Sequence, residues 1–319
     1  MLVVRRGRQH SRGAAKGETG GCRATQPSPE RSISSMLRPP AREQPVYAAE
    51  RRRLAINHYA APPDCPIDVF CGLLEAEGCG GVGLVARSLA ELPLPRLAHC
   101  LADHGLVATS LNSTGYVLHA DPVAAERQAR LDDQLFEAAL LLGAPINLIP
   151  GGMLHGGLAL AAARTQALDG IARLMERANA AGVVLALEPM HPVGIGTKGC
   201  INQLSDTCRI MDLNPGLGLT LDLFHSWWDA DLVATIQAET ARLRVVQVCD
   251  VALPPDGSAP RRVPLGEGVL DVADFLQRLG AAGYAGMIEY ELFADQLGAP
   301  PIRPLVHHGV QTLAGLLAE

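Results

Sequence analysis

From Arg53 onward, two hydrophobic patterns alternate along the chain. Short, nearly continuous apolar runs end in polar or glycine positions, and each is followed by a segment whose apolar residues recur three or four apart. The runs are "RLAINHYA" (53–60), "GVGLVA" (81–86), "LVATSLN" (106–112), "INLIPGG" (146–152), "VVLALEPMH" (183–191), "LGLTLDLFH" (217–225), "RVVQVCD" (244–250) and "MIEYELF" (287–293). Runs of this length and composition predict strands buried on both faces. The segments between them predict helices. In "TQALDGIARLMERANAAG", Leu168, Ile171, Met175 and Ala178 share one face, and Gly182 supplies the C-terminal cap. "DVADFLQRLGAAG" follows an N-capping Asp271, and "PLVHHGVQTLAGLLA" forms the last helix.

Eight strands alternating with eight helices predict an α/β fold, a closed (β/α)8 TIM barrel forming a single domain over residues 51–319. An open doubly wound sheet is the alternative. It normally carries a glycine-rich phosphate loop after its first strand, and "INHYAAPPD" is not one. Residues 1–50 have no periodicity and are rich in Arg, Gly and Ser, which predicts a disordered basic extension. An N-terminus placed too early, with Met36 as the true start, fits as well; an organelle transit peptide fits less well.

Charge narrows the function. The chain carries −6 overall; residues 1–45 hold nine Lys/Arg and three Asp/Glu, or +6, so the remainder carries −6 − (+6) = −12. An acidic body argues against a nucleic-acid substrate, because phosphate backbones need a basic track. It suits a small polar ligand held by a few specific groups, with or without a bound cation. No apolar run approaches the roughly 18 residues needed to span a bilayer, and no apolar signal region opens the chain. The eight cysteines form no CxxC pair and fall mostly in apolar segments. They read as reduced, buried thiols of a cytoplasmic protein.

Candidate chemistry begins with "LTLDLFHSWW", where Asp222 interrupts an apolar run and His225 follows at its end. In a barrel, side chains at the carboxyl ends of strands face the active-site mouth. The neighbouring strands end in Glu188, in Gln247 and in Glu291, so four consecutive strands offer oxygen donors at one depth. Converging carboxylates repel one another unless a cation joins them, and hard divalent cations take such oxygen ligands. Glu289 and Glu291 alternate onto the same face, which leaves the eighth-strand donor open between them.

The segments "LEPMHP", "LTLDLFHSWWD", "VVQVCDV", "VPLGEGVLD" and "GYAGMIEYELF" together resemble the sugar phosphate isomerase/epimerase group of xylose isomerase-like TIM barrels, over roughly residues 53–317. The resemblance implies one divalent metal held by Glu188, Asp222, Gln247 and Glu291. It implies that Glu188 and Glu291 are also the catalytic acid/base pair, and that His191 and His225 line the substrate pocket. The family pattern Glu-x-Phe favours Glu291 over Glu289. Many members have a histidine where this chain has Gln247, and the bacterial 3-dehydroshikimate dehydratases of the superfamily are similar in using Gln. A neutral amide oxygen tilts the site towards Mg2+ or Mn2+. Ketose 3-epimerases often carry a second Glu where this chain has Gly194.

The expected activity is therefore a metal-dependent sugar (phosphate) isomerase or epimerase. The metal polarises a carbonyl and stabilises an enediolate; one glutamate removes the α proton and the other returns one. The substrate would be a small polyol, sugar or keto acid. A lyase of the 3-dehydroshikimate dehydratase type is the alternative, since a β-hydroxyl leaving group turns the same machinery to dehydration. An apurinic-site endonuclease relative would need a histidine-rich zinc cluster and a basic groove, and a non-catalytic barrel would not need four ligands. Arg262 is placed to reach a substrate carboxylate or phosphate. His58 and Asn112 end strands near the mouth, Trp227 and Trp228 pack as core or wall, Glu267 organises its loop, and Lys198 lies on the surface. Barrels of this group often pair as homodimers.

Overall fold

The computed structural model describes residues 48–119, 121–152, 158–298 and 300–319. The expected N-terminal extension and the alternative start at Met36 lie outside them, except that residues 48–50 open a short helix, Ala48–Arg51. The barrel strands are β1 (Leu54–Asn57), β2 (Gly81–Val85), β3 (Val107–Leu118), β4 (Ile146–Gly152), β5 (Leu185–Leu187), β6 (Gly218–Asp222) and β7 (Leu243–Val248). A hairpin of β8 (Asp250–Ala252) and β9 (Arg261–Val263) precedes the eighth stave, β10 (Ile288–Tyr290). The barrel closes in the order β1-β10-β7-β6-β5-β4-β3-β2, every barrel pair parallel. Each predicted strand is present.

Burial explains the apolar strands. All residues of β1, β2, β4, β5, β6 and β10 are buried, walled inside by one another and outside by the helices. The helix Leu160–Ala181 ends at Gly182 with φ +72°, a left-handed conformation that suits glycine. Its inner face keeps Ile171, Met175 and Ala178 but takes Ala167 in place of Leu168. Ala163, Ala167, Ile171, Met175 and Ala178 are buried, whereas Leu168 is 43% exposed. Small residues let this helix lie close to the sheet: a Cβ added to Gly170 would meet Val117 Cγ1 at 2.6 Å. Asp271 caps its helix as expected, accepting from Asp274 N.

Two features exceed the sequence reading. β3 runs on to Leu118, carrying Ser113, Thr114 and Tyr116 up to the mouth. The β8–β9 hairpin folds over the barrel, and Asp250 fixes it: the carboxylate accepts from the backbone N–H groups of Val251 (2.8 Å), Gly266 (3.1 Å), Gly268 (3.0 Å) and Leu270 (3.0 Å). Asp250, rather than the exposed Glu267, organises this loop. Cys65, Cys71, Cys79, Cys200 and Cys249 are buried free thiols, and Cys100 and Cys208 are half-buried ones. Among the described residues, no helix is long and apolar enough to cross a membrane.

Candidate active site

The four predicted oxygen donors are brought together, all buried, at the carboxyl ends of β5, β6, β7 and β10. Parallel pairing sets their depth. Asp222 aligns with Gln247, and Gln247 with Glu289. Glu188 and Glu291 stand just beyond their strands, their amides donating to Leu148 O (2.9 Å) and Val248 O (3.0 Å). Asp222 Oδ1 also accepts from Phe224 N (2.8 Å), which turns the chain out of β6 into the short helix Leu223–Ser226.

Glu289 and Glu291 divide the labour that alternation left open. Glu289 accepts from Asn57 Nδ2 (2.8 Å), Thr109 Oγ1 (2.6 Å), Ser110 Oγ (2.8 Å) and Gln247 Nε2 (2.8 Å), and so is satisfied by neutral donors. Glu291 accepts more distantly from Gln247 Nε2 (3.1 Å) and Asn57 Nδ2 (3.3 Å), and pairs with Arg262 at 2.8 Å. Gln247 thereby turns its amide nitrogen to both glutamates. Its Oε1 is buried without a hydrogen-bond partner.

Arg262 descends from the hairpin into the cluster. It is 3% exposed and donates to both oxygens of Asp222 and to Glu291. Its guanidinium carbon lies 4.5 Å from the Phe224 ring centroid and 5.2 Å from that of Phe293. The predicted substrate-binding arginine is thus already paired with two carboxylates and covered by two rings.

Burial and mutual repulsion set the proton affinities. Burial, then the charges of Asp222 and Glu291, hold Glu188 well above the ordinary carboxylate range, although Asn147 Nδ2 donates to it at 2.5 Å. Burial pushes Glu291 up to about 8, with Arg262 opposing and Asp222 and Glu289 assisting. Burial acts to raise Asp222 too, but Arg262, His225 and the Phe224 amide together outweigh it, and its carboxyl lies below the usual range.

His225 is enclosed and neutral: burial lowers it to about 3, against the attraction of Asp222. Its Nδ1 accepts from the His191 backbone N–H at 3.0 Å, so the ring proton sits on Nε2, which points at Glu188 and Asp222, 3.8 Å from each. Ligand atoms of Glu188, Asp222 and His225 lie within 4.8 Å of one another, close enough to share a cation. A protonated Nε2 cannot ligate, however, whereas the orphaned Gln247 Oε1 can. The described residues close enough to share a cation are Glu188 and Asp222 with His225; Gln247 Oε1 is a further neutral oxygen without a partner, and Glu291 is joined to Asp222 through Arg262.

The other candidates fall around this centre. His191 is half-buried, its ring 5.9 Å from Trp228 and 6.3 Å from Trp227, so the tryptophans form a wall beside the mouth. Trp228 Nε1 donates to His225 O at 2.9 Å. His58 bonds Ser88 Oγ (2.9 Å) and Arg87 (3.0 Å), and burial lowers it to about 4. It lines a cavity of about 370 Å³ shared with Tyr59, Arg87 and Phe293. Asn112 Oδ1 accepts from Asn147 Nδ2 at 3.0 Å and so braces Glu188 indirectly. The sequence reading did not single out Asn57, Asn147, Ser110, Tyr59 or Tyr116. The two asparagines carried the signal that exposed Asp222: a polar residue inside an apolar run.

The fold and site define the class: a closed parallel α/β barrel with buried carboxylates at its carboxyl rim. The chain belongs to the xylose isomerase-like TIM barrel family, whose description matches residues 72–314. It is 25% identical over 213 residues to a ketose 3-epimerase from Arthrobacter globiformis, covering 63% of this chain and 69% of that protein. Protein SMc04130 from Sinorhizobium meliloti 1021 is 28% identical with a TM-score of 0.74, covering 81% of this chain and 96% of that one. The IolI protein, whose crystal structure carries a zinc atom, has the same fold at 19% identity and a TM-score of 0.69, over 83% of this chain and 97% of its own.

Proposed function

We propose that this chain is a divalent-metal-dependent epimerase or isomerase of a small keto sugar or related keto compound. The observation that carries the reading is the pair of buried glutamates, Glu188 and Glu291, both raised in proton affinity beside an ionised Asp222. Two carboxyls with raised proton affinity, one to accept and one to donate, are what moving a proton off and back onto a carbon requires. The ketose 3-epimerase relative supports the same class of chemistry.

The cation would be held by Glu188, Asp222, Glu291 and Gln247 Oε1, and when bound it polarises the substrate carbonyl so that the α proton becomes acidic. The neutral amide oxygen favours Mg2+ or Mn2+. Glu188 and Glu291 stand on strands that flank β6 and β7, so one takes the proton and the other returns it from a different direction. Asn147 holds the Glu188 carboxylate in place, and Asn57 with Gln247 does so for Glu291. Nε2–H of His225, 3.8 Å from Glu188 and Asp222, is a donor that a substrate oxygen entering the site would meet, whereas Arg262 is held by Asp222 and Glu291. Phe224, Phe293, Trp227 and Trp228 keep water from the reacting carbon.

Incubating the metal-loaded protein with candidate ketoses in D2O tests this. Solvent deuterium appearing at the α carbon, with the compound otherwise of unchanged mass, is expected. Loss of water with a new ultraviolet chromophore would instead identify a dehydratase, and absence of exchange across ketoses, their phosphates and keto acids would refute the proposal.

A further inference from the structure

We propose that Lys198, on the segment after β5, selects substrates bearing an anionic group remote from the carbons that exchange protons; this rests on the enolising reading above. Its backbone is fixed against β4. Gly152 N donates to Lys198 O at 2.8 Å, Cys200 N donates to Pro150 O at 3.1 Å, and Lys198 N donates to Gly194 O at 2.8 Å. Gly151 and Gly199 form a bridge in which no side chain fits: a Cβ on Gly199 would lie 2.5 Å from Met190 Cγ, and one on Gly151 2.7 Å from Gly199 Cα. The Cα of Lys198 is therefore held by two close backbones, although the residue is exposed.

That exposure faces the mouth. Lys198 Nζ lies 5.4 Å from the centroid of Phe293, the ring that also carries Arg262 at 5.2 Å and stacks on Tyr59 at 4.7 Å. Phe293 follows Glu291 by two residues, so the ammonium stands above the carboxylate cluster, and its charge reaches Glu291 and His225. The other cation, Arg262, is engaged by Asp222 and Glu291. Among the described residues, no carboxylate lies within 4.0 Å of Lys198 Nζ.

An anionic group entering the mouth needs an opposite charge, and Arg262 is already engaged by Asp222 and Glu291. A neutral polyol needs no cation at the entrance; an acidic keto sugar or keto-sugar phosphate does. An ammonium with no ion-pair partner among the described residues, anchored over the route to the cluster, supplies it.

The test compares wild type, Lys198→Ala and Lys198→Arg, each full-length and metal-loaded, on D-fructose, D-fructose 6-phosphate and 5-keto-D-gluconate, following deuterium exchange by NMR. Anionic substrates should exchange best, with the phosphate and carboxylate arms showing which anion fits. Lys198→Ala should raise their KM about 10- to 100-fold, the range for a lost charge-assisted contact, while kcat changes little. Lys198→Arg should recover most of the loss, and D-fructose should show no comparable KM change. Equal losses on neutral and anionic substrates, or a preference for D-fructose in the wild type, would overturn the proposal. Binding of inorganic phosphate, followed by calorimetry, separates the two claims. Phosphate binding that depends on Lys198, without exchange of any substrate, leaves the anion site standing and removes the enolisation chemistry. Equal phosphate binding by wild type and Lys198→Ala removes the anion site whatever the exchange result.

Discussion

Two tiers of polar side chains lie inside the barrel, and they are built on opposite principles. The deeper tier centres on Glu289, which receives hydrogen bonds from Asn57, Thr109, Ser110 and Gln247. The upper tier centres on Glu188, Asp222 and Glu291, where one arginine is shared and two carboxyls are raised in proton affinity. Glu289 and Glu291 are two residues apart and equally buried, at 1% and 4% exposed. Burial therefore does not separate scaffold from site. The difference is in what each carboxylate faces: neutral donors that satisfy it, or like charges that leave it needing a cation.

Breaking the upper tier should cost function first. Asp222→Ala should abolish retention of divalent metal, measured by elemental analysis after desalting, and lower deuterium exchange by about 10³-fold or more. A fully active, metal-replete variant would refute the ligand assignment. Breaking the deeper tier should cost stability. Glu289→Ala strands several buried donors at about 1–3 kcal/mol each, so a loss of about 4 kcal/mol and roughly 10 °C in Tm is expected. Glu291→Gln should reverse the pattern, weakening metal binding by calorimetry while leaving the Tm of the metal-free protein nearly unchanged. Equal Tm losses for the two variants would erase the distinction between tiers. Gly83→Ala offers a milder probe of the deeper one. Its added Cβ would sit 2.6 Å from the Glu289 carboxyl and 2.7 Å from Asn57 Nδ2, an overpacking expected to cost about 1–3 kcal/mol in a denaturant melt.

How much of this could be read in advance follows from the range of the interactions. Strand and helix periods are local, so the staves and the caps at Gly182 and Asp271 were legible. The shared level of Glu188, Asp222 and Gln247 was legible too, because strand-end position sets their depth, whereas position alone left Glu289 and Glu291 undivided. Contacts between distant residues were not. Nothing near Asp222 announces Arg262, forty positions away, and nothing near Asn57 announces Glu289, at a separation of 232. The β8–β9 hairpin depends on Asp250 pairing with Val263, and the extension of β3 depends on β4, since "NSTGYVL" by itself reads as a turn. Leu168 was misplaced because a one-position shift along a helix turns a side chain by about 100°. Lys198 looked like a surface lysine because only the folded chain sets it over Phe293.

The comparison sharpens further in the pH dependence of the metal-free protein. Glu291 has a folded-state pKa of about 8, raised from 4.5 by burial, so its stabilising contribution is full below about 4.5 and is lost as pH rises through about 8. Glu188 shifts in the same direction and adds to the trend. His225, lowered from 6.5 to about 3, behaves oppositely: its contribution is present above 6.5 and lost as pH falls towards 3. Above pH 6.5 the histidine term is constant, and the carboxyl term alone remains. Between pH 6.5 and 8 the metal-free protein should lose on the order of 2 kcal/mol, at 1.36 kcal/mol per unit, which is a few degrees of Tm. Glu291→Gln should flatten that slope, and saturating Mg2+ should flatten it in the wild type by stabilising the ionised carboxylates. A Tm that rises over this window in the metal-free wild type would show that the upper tier is not the charge-frustrated cluster described.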